Sequence, residues 1–83
     1  MHELKVKDEK GKTVTLKVID IISDNPFDKE YIIFTKENDG VIYASELILN
    51  NDNYIIRDVE TKEELDYINN EILNNEILNN DNE

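Results

Sequence analysis

Thr35, Glu37, Asp39, Gly40, Ile42 and Glu46 stand at positions one, three, five, six, eight and twelve of one window, the spacing by which an EF-hand loop wraps oxygen ligands around calcium. Thr35 occupies the place of the leading Asp, however, and the flanks EYIIF and VIYAS read as strands where an EF-hand needs helices. In a hairpin, Thr35 and Glu46 fall beyond the turn, too far from Asp39 to share an ion, so the spacing predicts no calcium site. Other chemistry is thinly supplied. His2 is the sole histidine and lies at a chain end, and cysteine is absent, so neither a Ser-His-Asp nor a Cys-His set nor a zinc site can be assembled. Two glycines exclude a Gly-rich loop that cradles phosphate. The expectation is a protein that is not an enzyme, with no cofactor and no metal.

Carboxylates are the abundant group. Glu60, Glu63, Glu64, Asp66, Glu71 and Glu76 crowd the C-terminal part and form the candidate partner-binding set. Nine basic residues against twenty acidic ones give a net charge of −11. Residues 1 to 42 hold seven lysines and nine acids, a net of −2, whereas residues 43 to 83 hold two basic residues and eleven acids, a net of −9. Such a field attracts a basic protein surface and repels nucleic acid and anionic membrane. Lys5, Lys7, Lys12 and Lys17 are expected to solubilise an outer face and protect an edge strand.

The elements that must position these groups follow from hydrophobic periodicity. Leu4 and Val6 alternate with Lys5 and Lys7, a turn follows around Gly11, and Val14, Leu16 and Val18 alternate with Thr13, Thr15 and Lys17, as half-buried strands require. Beyond Val18 the apolar parity moves to Ile19 and Ile21, which predicts a bulge or bend. Asn25-Pro26 breaks the run. EYIIFT is apolar on both faces and reads as a central strand. Asp39-Gly40 predicts a hairpin into VIYASEL, and NNDN at residues 50 to 53 turns the chain into a fifth strand, YIIRDV. Short polar turns between five strands predict an antiparallel meander.

Thr61 and Glu64 fit a capping box, with the threonine capping the first turn of a helix and the glutamate reaching back to the Thr61 amide. At 100° per residue Leu65, Ile68 and Ile72 fall within about 60° of one another and form an apolar stripe. The repeat NNEILNNEILNN then spirals around the helix and builds no face. The fold expected is therefore α+β, an antiparallel sheet of about five strands with one C-terminal helix packed on one face through Leu65, Ile68 and Ile72. Residues 1–76 form a single domain, and residues 77–83 form a frayed or disordered Asn-rich tail. If the opposite face leaves Ile32, Phe34 or Ile55 exposed, a homodimer is a natural way to cover it. No apolar run is long enough to span a membrane and the start lacks a signal-peptide stretch, so the expected location is cytoplasmic.

The segment KEYIIFTKENDGVIYASELILNNDNYIIRDVETKEELDYINNEI resembles the domain-of-unknown-function family 1292, the YrzB-like small acidic proteins of low-GC Gram-positive bacteria. The pattern shared is a Tyr-Ile strand, an acidic hairpin, an Ile-Tyr-Ala-Ser strand and a terminal Glu-Glu helix, and LKVKDEKGKTVTLKVIDII is similar to that family's opening hairpin. The resemblance covers about residues 4 to 73 and departs from the family at the Asn-rich end. It implies the α+β fold and carries no catalytic signature. Together these features favour a non-enzymatic adaptor or regulator that binds a basic protein through its acidic C-terminal half. The alternative is a mobile-element inhibitor whose carboxylate rows imitate nucleic-acid phosphates against a DNA-binding protein or nuclease.

Overall fold

The computed structural model describes residues 2–36 and 40–74. Five strands, β1 (His2–Lys7), β2 (Thr13–Ile22), β3 (Glu30–Thr35), β4 (Tyr43–Asn50) and β5 (Asn53–Arg57), precede one helix, α1 (Lys62–Asn74). Consecutive strands pair antiparallel, as a meander. Unlike an open sheet, this one curls until β1 meets β5 in parallel at Lys7↔Ile55 and closes a barrel.

Closure changes what the alternating pattern means. The inward faces of the strands fill the barrel with Val6, Leu16, Ile32, Phe34 and Leu47, flanked by Leu4, Val14, Val18, Tyr43, Tyr54 and Ile56. Ile32 and Phe34 are thus wholly buried inside and Ile55 is half-buried. Closure of the barrel thus covers Ile32 and Phe34 without a second copy, while Ile55 faces outward opposite Ile48.

The bulge falls where the parity shift places it. Val18 pairs with Phe34, but Asp20 pairs with Ile33, so one residue is inserted around Ile19. Without it Asp20 would lie opposite Ile32, which is fully buried, and a carboxylate there would lose its hydration with no donor to replace it. With it, Ile22 comes beside Tyr31 on the outer face, where α1 packs. That second core joins Ile22, Tyr31 and Ile33 to Ile68 and Ile72 of the helix.

Leu65 is not part of this seat. It is 44 % exposed, while Glu64 is 3 % exposed. The buried arc of α1 therefore runs through Glu64, Ile68 and Ile72, one flank away from the stripe expected from apolar residues alone.

The turns use positions that tolerate positive φ. Gly11 has φ 82° in a loop closed by Asp8, whose carboxylate accepts the Lys10 and Lys12 amides at 2.9 Å each. Asn51 has φ 59° in the two-residue connection that follows the Asn50↔Asn53 pair, a conformation asparagine accepts more readily than most residues. The Asp39 end of the β3–β4 hairpin and the tail at residues 77–83 lie outside the described residues. Among those described, no helix is long and apolar enough to cross a membrane.

Candidate functional site

The most organised polar cluster lies where α1 meets the barrel. Three parts of the chain build it. The loop between β2 and β3 is wound around Asn25, which accepts the Phe27 amide at 3.0 Å and donates to the Lys29 carbonyl at 2.7 Å, and so fixes Lys29. Strand β3 supplies Tyr31 on its outer face. The start of the helix supplies Thr61 and Glu64.

The Glu64 carboxylate is the hub. Its Oε1 accepts the Tyr31 hydroxyl at 2.6 Å and the Lys29 ammonium at 3.2 Å, and its Oε2 accepts the Thr61 hydroxyl at 2.9 Å. The Glu64 amide in turn donates to Thr61 Oγ1 at 3.1 Å. Half of the capping box forms as its residues predict, but the carboxylate takes the threonine hydroxyl in place of the Thr61 amide. Glu64 turns inward because Tyr31 and Lys29 offer it stronger donors there. Charge-assisted bonds of this kind are short and are worth more than neutral ones.

Electrostatics follow from those contacts. The Tyr31 hydrogen bond leads in holding Glu64 below the usual carboxylate range, with Thr61 and Lys29 assisting and burial opposing. Burial pushes the Tyr31 phenol far above its ordinary value of 10.0, and the Glu64 carboxylate adds to this. The hydrogen bond to Glu64 raises Lys29. Each shift moves the group away from neutral pH, the reverse of what a proton-transfer site needs. The cluster can hold the helix, and its acceptors are occupied by its own chain.

The other candidate acids scatter. Glu60, Glu63 and Asp66 are exposed, Glu71 is half-buried, and Glu76 lies outside the described residues. Asp66 takes the Lys62 ammonium at 2.9 Å. With Glu64 buried and Asp66 paired, no continuous outward row of carboxylates forms along the described helix, which weighs against imitation of duplex phosphates.

Of the calcium window, Glu37 and Asp39 lie outside the described residues, and its flanks are β3 and β4. Thr35 is buried in β3, and among the described residues its hydroxyl has no hydrogen-bond partner. The tyrosines pack. Tyr43 stacks on Phe34 at 5.5 Å, with the Lys36 ammonium 4.7 Å above its ring, and Tyr67 meets Phe27 edge-on at 5.7 Å. Lys5 and Lys7 lie opposite Thr15 and Thr13 on the outer face of β1–β2, and Lys17 lies opposite Glu3.

Sequence reading missed Lys29, Tyr31 and Glu46 as members of the polar surface around Glu64. Glu46 lies beside Tyr31 on β4 and 4.0 Å from Lys29. The signal that could have found it is the strand itself, since Ala44, Glu46 and Ile48 share a face and only one of them is charged. An open depression of about 280 Å³ at the β1–β5 seam gathers Asp8, Lys10, Arg57 and Asp58. Asp8 there is spent on its own loop, and the Asp58 amide donates to Glu9 at 2.9 Å. Compared with protein-family models, curated proteins and solved structures, the chain matches none, so the resemblance to the YrzB-like family rests on the quoted residues.

Proposed function

We propose that this protein is a non-enzymatic adaptor or regulator that binds a basic protein partner through acidic side chains of its C-terminal half. The observation that carries this reading is the division of acids at the start of α1. Glu64 turns inward and is consumed by Tyr31, Lys29 and Thr61, whereas Glu60 and Glu63 are exposed. A net charge of −11 on a small barrel speeds encounter with a positive surface and disfavours acidic ones. Membership of the YrzB-like family is part of the same proposal.

The test uses the tagged full chain, cross-linked in a native lysate and washed in rising salt. A partner should be retained at low salt, be lost as the salt approaches molar, and be lost also from a chain carrying Glu60→Gln, Glu63→Gln and Asp66→Asn. Retention indifferent to both salt and these substitutions would remove the proposal.

A further inference from the structure

The pairing of β3 with β4 ends at Glu30↔Leu47, yet β4 continues through Ile48, Leu49 and Asn50 with β5 on its other side. Just before β3 begins, Asp28 adopts φ 58° and turns the chain away. A step is left in the sheet, where among the described residues β4 has one edge without a neighbouring strand. Alternate residues of a strand direct their N–H and C=O to one side, so three such residues offer one or two pairs of free backbone groups.

An open depression of about 500 Å³ occupies this step, with Asp28, Glu30 and Glu46 as its acids and Ile48 and Leu49 as its apolar wall. Leu49 is 62 % exposed. Glu46 is only 9 % exposed, and among the described residues its carboxylate has no hydrogen bond. The nearest cation, Lys29 Nζ, stands 4.0 Å away and is committed to Glu64 at 3.2 Å. The Glu46 side chain keeps 12 % of its exposure and opens into a depression whose other acids share its sign. Glu46, Glu60 and Glu64 all act on Lys29 by their charge, so that single ammonium is outnumbered.

We propose that this step is the docking site for an extended, arginine-bearing segment of a partner protein, the guanidinium meeting Glu46 and the backbone lying along the free edge of β4 at residues 48–50, while Glu30, on the other face of the sheet beside Leu47, adds its charge to the same depression. The inference rests on the reading that the partner is basic and attracted by the acids around Glu60 and Glu63, and it adds a seat for one extended segment of that partner. Arginine fits better than lysine because its planar fork of donors can bond both oxygens of one carboxylate, while its stem lies along Ile48, which shares the face of Glu46. A strand added to a free edge takes affinity from backbone bonds and selectivity from side-chain contacts. Divalent metal is disfavoured by the lysine already among the acids. A second copy of the chain would bring another −11 of like charge.

The test is an NMR titration of the ¹⁵N-labelled full chain with the blocked tripeptide acetyl-Leu-Arg-Leu-amide, and with its citrulline counterpart as a neutral isostere. Amide shifts should gather at residues 28–30 and 46–50, and the arginine peptide should bind about tenfold more tightly than the citrulline one, the loss expected for one charged hydrogen bond. Glu46→Gln should weaken binding about tenfold and Glu30→Gln by about threefold, while Glu3→Gln on the far side of β1 leaves it unchanged. If Glu46→Gln perturbs the fold, Glu30→Gln and Leu49→Ala, both exposed, decide the matter. Shifts confined to residues 60–71 would overturn the step as the site and leave a basic partner in place. Absence of any salt-dependent binding would overturn both. Equal affinity for wild type and Glu46→Gln would overturn the step alone.

Discussion

In the helix seat Glu64 faces the Lys29 ammonium at 3.2 Å, and at the step on β4 Glu46 faces the same ammonium at 4.0 Å. Both glutamates are largely buried, at 3 % and 9 % exposure. Glu64 has in addition a tyrosine and a threonine hydroxyl, so its lost hydration is replaced by three donors. Among the described residues Glu46 has no such replacement beyond Lys29 at 4.0 Å, and it borders an open depression. Burial therefore does not sort structural acids from available ones, and the count of donors does. A carboxylate closed by its own chain fixes an element, while one left under-bonded at an edge is poised for a group from outside.

The largest effects should come from breaking the closed side. Glu64→Ala strips the acceptor from Tyr31 and Lys29 together, and removing one partner of a buried ionic network costs about 3–5 kcal/mol, readable as a lowered midpoint in urea denaturation. A loss under about 1 kcal/mol would mean that the seat tolerates the hub's absence and that the contrast is unfounded. Ile68→Ala, at a residue 1 % exposed, should cost about 2–5 kcal/mol. Leu65→Ala should stay within about 1 kcal/mol, because a side chain 44 % exposed gives up little buried area. Equal costs at 65 and 68 would restore the apolar stripe as the seat.

That last pair marks where the sequence could be read and where it could not. Alternation located the strands, and the parity change after Val18 located the bulge, because both depend on neighbours along one chain. Barrel closure depends on Lys7 meeting Ile55, a contact between distant residues that no local period encodes. On a helical wheel Glu64 and Leu65 flank the Ile68–Ile72 line on opposite sides, and hydrophobicity favours Leu65. Donors from β2–β3 and β3 reverse the choice, and they become visible only once Lys29 and Tyr31 lie beneath the helix. The step at β4 was hidden for the same reason, since it exists because β3 begins late relative to the end of β4.

Tyr31→Phe probes the network with a smaller change. It deletes one donor to Glu64 and should cost about 1–3 kcal/mol at neutral pH. The pH dependence has two limbs. Glu64 lies below its ordinary value of 4.5, so its contribution is complete above that pH and fades as pH falls toward the folded value. Tyr31 lies above 10.0, so its contribution is complete below that pH and fades as pH rises beyond it. The stability gap between wild type and Tyr31→Phe should thus be widest from about pH 5 to 10 and narrow on both sides. Urea midpoints across pH 3 to 11 measure it, and a gap that stays constant would show that the hydroxyl acts by packing alone.

The smallest expected effect is the most discriminating. Glu46→Gln keeps the shape of the side chain and removes a charge that has no hydrogen bond to lose, so stability should change by no more than about 0.5 kcal/mol. The distant Lys29 contact adds little, because that ammonium is one-third exposed and pairs in partial solvent are worth little. A cost above about 2 kcal/mol would place Glu46 with Glu64 as a structural acid, and its carboxylate would then be engaged in the fold and lost to a partner. A neutral substitution that still weakens the arginine peptide separates the two glutamates by function, since only a group idle in the free protein can be removed at no cost to folding and at a cost to binding.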